Sequence, residues 1–382
     1  MDLTDDNIPS KTIYLSGLNG LRAIAALAVV ISHITLGLGE FGLNNKIFGT
    51  DIKGNPSGLN LAGYGVTIFF TLSGFLITYL LLKEKETEEI NIKNFYIRRI
   101  LRIWPLYYLY MAIVMATAFF FNIPYEKNSI VFYVFLAANI PFIIGGLIPC
   151  LGHYWSLGVE EQFYLFWPWI VKKSKALLRT TIFICISLIV LKTILRLIDI
   201  KTNNGDVGLL YNIISITRFH CMMIGAVGAI FYYRNNVLFL KVTNNIPAQL
   251  ISWIIIFLAC INQFHTASFI DHEIISIVSV FLIIGQIEKS KRIINLNTSF
   301  FDFIGKISYG IYVIHPILIF YFSKLLGHFN SDSIPNYLLV YGLITTSTVL
   351  MAYLSYEFYE KRFLKLKLKY STIKSSDTKH SP

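Results

Sequence analysis

The stretch 18–38, LNGLRAIAALAVVISHITLGL, carries two side chains suited to chemistry inside an apolar run, Arg22 and His33. They are eleven residues apart. At 100° per residue that is about three helical turns plus ~20°, which puts both on one face, ~16 Å apart along the axis. An arginine inside a membrane span costs at least ~2.5–3.5 kcal/mol, so it is expected to face a protein interior or an aqueous cavity. Ala25, Ala26, Ala28 and Val29 leave room for close helix contact. The pair would place a fixed cation and a titratable base on one internal path. The ordinary alternative is an arginine snorkelling to the membrane edge and a histidine satisfied within a bundle.

Four further stretches concentrate polar groups in apolar surroundings. In 63–80, GYGVTIFFTLSGFLITYL, Gly63, Gly65, Ser73 and Gly74 form a small face for helix packing. In 95–108, FYIRRILRIWPLYY, Arg98 and Arg102 are one turn apart with Arg99 beside them. Clustered guanidinium forks suit phosphates, and the same arrangement would also anchor a span to anionic lipid. In 152–170, GHYWSLGVEEQFYLFWPWI, Ser156 and Glu160 share a face, with Gln162 and Tyr164 further along and His153 at the outer edge. An acid entering a span is a functional candidate by default; Glu161, offset by 100°, is expected to be the solvated member of the pair. In 303–316, FIGKISYGIYVIHP, Ser308, Tyr309, Tyr312 and His315 recur at helical spacing ahead of Pro316. Arg218 in TRFHCMMIGAVGAI and the pair Glu357 and Glu360 near the last basic run complete the set.

These residues must be held by membrane helices. The chain has 382 residues, 55% hydrophobic and 14% charged, with a mean hydropathy of +0.59. That composition belongs to a polytopic membrane protein rather than a soluble globule. The net charge of +11 sits largely in short runs between apolar stretches, the positive-inside pattern, and argues against nucleic acid as a partner. Cys150, Cys185, Cys221 and Cys260 are scattered, with neither metal spacing nor a disulfide framework. The acid-rich start, MDLTDDNIPSK, lacks the features of a signal peptide.

Placing the basic runs in the cytoplasm predicts an all-α polytopic fold of about ten transmembrane helices, at about 18–38, 61–82, 103–121, 155–171, 180–198, 209–233, 248–264, 272–288, 304–326 and 337–358. Both termini are then cytoplasmic. Residues 129–149 are apolar but broken by Asn139, Pro141, Gly145, Gly146 and Pro149. They are read as a re-entrant or interfacial segment, which implies a cavity opening outward. The membrane domain is expected over 1–363. A basic cytoplasmic tail, 364–382, follows, with its last dozen residues disordered.

The motifs together resemble one family, the membrane-bound acyltransferase-3 family of bacterial O-acyltransferases of surface glycans, from about Leu15 to Phe363. Its Arg/Lys–ten residues–His signature matches Arg22 and His33. Its FFxLSGFL stretch matches Phe69 to Leu76, and FYxRRxxRIxPxY matches Phe95 to Tyr107. WSLxVExQFY matches Trp155 to Tyr164. GxxSYxxYxxHxP matches Gly305 to Pro316, except that His315 directly precedes the proline. Arg362 stands where the family often has proline.

The resemblance implies a bacterial inner-membrane enzyme that moves an acyl group, usually acetyl, from cytoplasmic acetyl-CoA (or another acyl-CoA) to a hydroxyl of a cell-surface polysaccharide or lipid-linked glycan. No cofactor is expected to be permanently bound. Arg98, Arg99 and Arg102 would hold the coenzyme's phosphates, and Arg22 would start the acyl path. His33 would be the base or a transient acyl carrier. Glu160 would orient the imidazole or the acceptor, and Trp155 would line a sugar-binding wall. Ser156, Gln162, Arg218, Tyr309 and His315 are the further substrate-contact candidates. Membrane lipid is the remaining partner, and the sequence assigns no oligomeric state. Two other classes fit the same charges: a transporter or flippase of lipid-linked glycans, and a non-catalytic lipid-binding or sensory protein.

Overall fold

The structure, a computed structural model, describes residues 12–50, 54, 56, 59–371, 374 and 375. The start of the chain before residue 12 and residues 376–382 of the expected tail lie outside it. The elements are, in chain order, α1 (Leu18–Gly37), α2 (Leu59–Thr87), α3 (Ile92–Phe120), α4 (Ile130–Val134), α5 (Asn139–Ile144), α6 (Tyr154–Lys173), α7 (Leu177–Thr202) and α8 (Gly205–Thr217). Then follow α9 (Phe219–Tyr233), α10 (Val237–Thr243), α11 (Ile246–Cys260), α12 (Asp271–Glu288), α13 (Ser299–Lys306), α14 (Ser308–Leu326), α15 (Ile334–Ser355) and α16 (Lys361–Leu368). Among the described residues the fold is all-helical apart from a two-residue parallel pairing of Thr12–Ile13 with Lys374–Ser375 and an isolated antiparallel bridge between Thr50 and Pro56.

Among the described residues, seven helices are long and apolar enough to cross a membrane, or eight if α10 and α11, bent by 54°, form one span. The expected crossings at 155–171 and 272–288 exist as α6 and α12 but fall outside that set. The former carries Glu160, Glu161, Lys172 and Lys173, and the latter Asp271, Glu273 and Glu288. Leu165, Phe183, Leu197, Ile200, Ile251, Phe257, Leu338 and Leu350 point outward on the helices. Such an apolar exterior is the surface a multi-pass membrane protein presents to lipid.

Residues 129–149 form two short helices, α4 and α5, joined through Leu136 at φ 58°, and neither is long enough to cross. Two expected spans are interrupted. The stretch 209–233 breaks into α8 and α9 at Arg218, whose φ is 46°, and 304–326 breaks into α13 and α14 at Ile307. By contrast, α3, α6 and α14 run through Pro105, Pro168 and Pro316. The expected tail begins as helix: α15 continues through a π-helical turn, Tyr356–Glu360, into α16, which packs on α3.

At the centre, α1 packs against α2, α13 and α14. Its small residues are the contact surface: Ala23, Ala25 and Ala26 are fully buried. The tightest crossing is between α2 and α9, where a Cβ on Gly74 would lie 1.8 Å from the Met222 carbonyl oxygen and one on Gly225 would lie 2.1 Å from that of Thr71. Gly74 therefore packs as its stretch suggested. Ser73 beside it takes a different partner, described below.

Candidate active site

Two cavities lie along α1, one at each end, called inner (Leu18 end) and outer (Gly37 end) after the orientation expected from the basic loops. The inner one spans about 1270 Å³, open solvent at its mouth included, and is lined from the Leu18 end by Asn19 and Arg22, with Ser73, Arg99, Arg102, Glu160 and Tyr309. The outer one spans about 1570 Å³ on the same measure and is lined from the Gly37 end by His33 and Glu40, with His153, Trp155, Arg218 and Phe142. Val66 and Tyr312 line both, so they form the partition between the two. Arg22 and His33 face different cavities along one helix, as a shared face ~16 Å long allows.

The inner cavity holds three guanidinium groups. Arg22 donates to Asn19 Oδ1 at 2.9 Å. Arg99 lies over the rings of Phe95 and Tyr164, at 5.8 and 5.5 Å, and its buried Nε has no partner. Arg102 is within electrostatic reach of Glu360 on the π-helical turn. Against them stands Glu160, whose carboxylate accepts from the hydroxyls of Ser73 and Tyr164. Three guanidinium forks lining one cavity suit a phosphate-bearing anion, with Glu160 in the same lining and Glu360 near Arg102.

The structure separates Arg98 from this group. It is buried in an ion pair with Glu84 at 2.7 Å and donates to the Tyr370 carbonyl at 2.8 Å. It lines a smaller pocket of about 510 Å³ with Glu84, Lys367 and Ser371, between α3 and the tail, and Arg99 lines both this pocket and the inner cavity. One turn of spacing puts Arg98 and Arg102 on a common face, but a carboxylate at the end of α2 claims Arg98.

In the outer cavity, His33 Nδ1 is 2.7 Å from His315 Nε2, and the rings stack at 5.0 Å. His315 Nδ1 lies 3.2 Å from the Ile311 carbonyl, which can only accept. His315 therefore carries its proton on Nδ1 and accepts on Nε2, and His33 must donate from Nδ1. The lone pair of His33 is left on Nε2. His153 donates Nε2–H to the Val313 carbonyl at 3.1 Å, and its buried Nδ1 has no partner. The Tyr312 hydroxyl is 2.5 Å from that of Ser156 and donates to the His153 carbonyl at 2.8 Å, so the partition is tied to the histidine cluster.

The remaining candidates divide. Phe142 stacks on Trp155 at 5.1 Å, and the Arg218 guanidinium lies 5.3 Å over the Trp155 ring. Tyr309 donates to the Ile103 carbonyl at 2.7 Å from the inner cavity. Gln162 lines neither cavity. Its amide exchanges two hydrogen bonds with Asn139, at 2.7 and 3.3 Å, and clamps α5 to α6. Glu160 does not bond His33, whose ring partner is His315. Glu161 is not the solvated acid: Trp104 Nε1 donates to one oxygen at 3.4 Å and the other is buried without a partner. Sequence reasoning gave Tyr312 and His153 no role. Their only signal was spacing, Tyr312 three residues before His315 and His153 beside the Trp155 motif. Among the described residues no group of His, Cys, Asp or Glu could hold a metal ion.

A family model described as an acyltransferase domain, acyltransferase-3, matches residues 15–357. A Staphylococcus aureus (strain MRSA252) protein, whose name as an O-acetyltransferase is itself provisional, is 30% identical over 396 residues, covering 96% of this chain and 60% of that protein. The O-acetyltransferase OatA of Staphylococcus aureus (strain NCTC 8325 / PS 47) is 27% identical over 374 residues, covering 91% of this chain and 57% of that one. The chain thus spans about 60% of the length of these relatives. No solved structure matches it significantly.

Proposed function

The chain belongs to the acyltransferase-3 family, and from that premise we propose that it is a membrane O-acetyltransferase. It takes an acetyl group from cytoplasmic acetyl-CoA and delivers it to a hydroxyl of a cell-surface polysaccharide or lipid-linked glycan. The observation that carries the reading is the pair of cavities at opposite ends of α1, one rich in guanidinium and one holding a histidine with a free nitrogen, with Val66 and Tyr312 lining both. The O-acetyltransferase names of the relatives support the choice of acyl group.

In this reading Arg22, Arg99 and Arg102 hold the phosphates and steer the thioester inward. The acceptor hydroxyl attacks the thioester carbonyl, its proton passes to His33 Nε2, the carbon–sulfur bond breaks and the coenzyme leaves as its thiolate, which takes a proton. In the carrier variant the same Nε2 attacks first and holds the acetyl group until the acceptor takes it. His315 fixes the tautomer in both.

The host is proposed to be the bacterial cytoplasmic membrane, crossed ten times with both ends inside. The pairing of Thr12–Ile13 with Lys374–Ser375 supports an even number of crossings, and the basic loops support the orientation.

The test uses purified protein in nanodiscs with labelled acetyl-CoA, beside His33→Ala. Thiol release that depends on His33 is expected, and label retained on protein without acceptor selects the carrier variant. The flippase alternative predicts movement of a lipid-linked glycan without thioester consumption. Folded protein that releases no thiol with any glycan acceptor would overturn the reading.

A further inference from the structure

We propose that the outer cavity is built for an acceptor bearing a negative charge, a carboxylate or phosphate oxyanion, and that Arg218 is the residue that holds it. This rests on the acyl-transfer reading of the same cavity. Arg218 interrupts what would otherwise be one helix, with its backbone at φ 46°, a conformation unfavourable for a side chain of its size. The break aims a guanidinium into the outer cavity. There, among the described residues, it donates only to neutral oxygens, the Gly63 carbonyl at 2.9 Å and the Thr67 hydroxyl at 3.3 Å, and its buried Nε has no partner.

Among the described residues no carboxylate around it pairs with it directly. Glu273, whose field reaches Arg218, is bridged through Oε1 by Lys192 and lies 3.1 Å from His220 Nε2, and its buried Oε2 makes no hydrogen bond. Asp271 is held by His265 at 2.7 Å and by Thr266. Glu40 sits exposed at the rim and accepts from Ser323. Around Glu273, the two fixed cations Arg218 and Lys192 therefore share one acid, and a cation without its own counter-ion in a membrane-embedded wall is costly. An oxyanion entering from the outer cavity would supply the missing charge and a partner for Nε. Trp155 is then less a bare stacking wall than the support of Arg218, with Phe142 packed on it.

The experiment reads the thermal unfolding midpoint of the full chain in zwitterionic nanodiscs, titrated at constant ionic strength with sodium glucuronate, pyrophosphate or methyl glucoside. Glucuronate or pyrophosphate should raise the midpoint and methyl glucoside should not. A glucuronate response assigns the charge to the sugar. Pyrophosphate also fits the inner-cavity guanidiniums, so it is read in the Arg102→Gln background, where a response that still depends on Arg218 assigns the charge to a lipid-carrier phosphate. The glucuronate response should persist in Arg102→Gln and vanish in Arg218→Gln. Arg218→Lys keeps the charge but not the fork, and should weaken the half-saturating concentration at least ~10-fold, so the question stays answerable if the glutamine variant does not fold. A wild-type protein indifferent to glucuronate with an Arg102→Gln variant indifferent to pyrophosphate, or a glucuronate response unchanged in the Arg218 variants, would overturn the proposal. His33-dependent thiol release on the same preparation tests the acyl-transfer reading separately.

Discussion

His33 and His315 share one proton position: Nδ1 of the first donates to Nε2 of the second across 2.7 Å, because the other nitrogen of His315 faces the Ile311 carbonyl. A chain of two imidazoles ending on a carbonyl leaves one lone pair available, on His33 Nε2. His33→Ala should therefore lower thiol release by about 10²–10⁴-fold. His315→Leu should lower kcat with little change in the KM for donor, because the inner cavity is untouched. His315→Gln, which restores an acceptor, should recover part of the loss. A leucine variant as active as wild type would remove His315 from the account.

The arginines of α3 should divide into two classes. Arg98→Ala strands Glu84 in a buried site and releases the Tyr370 carbonyl, a loss of roughly 3–5 kcal/mol, read as a lower unfolding midpoint. Removing Glu84 as well should restore much of it. Arg102→Ala should leave the midpoint unchanged and raise the KM for acetyl-CoA. Equal effects of both substitutions on donor KM would contradict the separation.

Much of this site was legible in the sequence, and the limits have physical causes. The common face of Arg22 and His33 follows from helix geometry alone, and so do the guanidiniums at the start of α3. The partner of His33 does not, because His315 lies 282 residues away and only the crossing of α1 and α14 brings it near. Arg98 misled because its spacing matches Arg102, while its carboxylate, Glu84, lies 14 residues earlier on another helix. Gln162 misled in a similar way: an amide entering a span invites a substrate, but Asn139 of α5 already pairs with it. The stretch that holds α5 was readable as broken from its closely spaced prolines and glycines, and it forms two short helices. The break at Arg218 was not, since no proline or glycine stands beside it.

The contact between α2 and α9 sets a steric limit. Gly74→Val places a branched side chain where a Cβ alone would meet the Met222 carbonyl at 1.8 Å. Overpacking of this kind costs ~1–3 kcal/mol or more, and here the opposing atom is backbone. The expected result is loss of monodisperse protein on size-exclusion chromatography, and a well-folded Gly74→Val variant would contradict the packing described.

The amide pair of Gln162 and Asn139 should act on the outer cavity at a distance. Gln162→Leu leaves Asn139 without its partner at a cost of ~1–3 kcal/mol, and frees α5, which carries Phe142. The KM for acceptor should rise while that for acetyl-CoA stays the same. A change confined to donor KM would place Gln162 on the wrong side of the partition.

The central claim is that one chain receives its donor in one cavity and serves its acceptor from the other. The most direct measurement uses proteoliposomes with the protein in a single orientation, labelled acetyl-CoA sealed on the side of the Leu18 end of α1, and the glycan acceptor supplied only on the opposite side. The account predicts labelled glycan outside, thiol accumulating inside, and neither with His33→Ala. Transfer only when donor and acceptor share a side would contradict it.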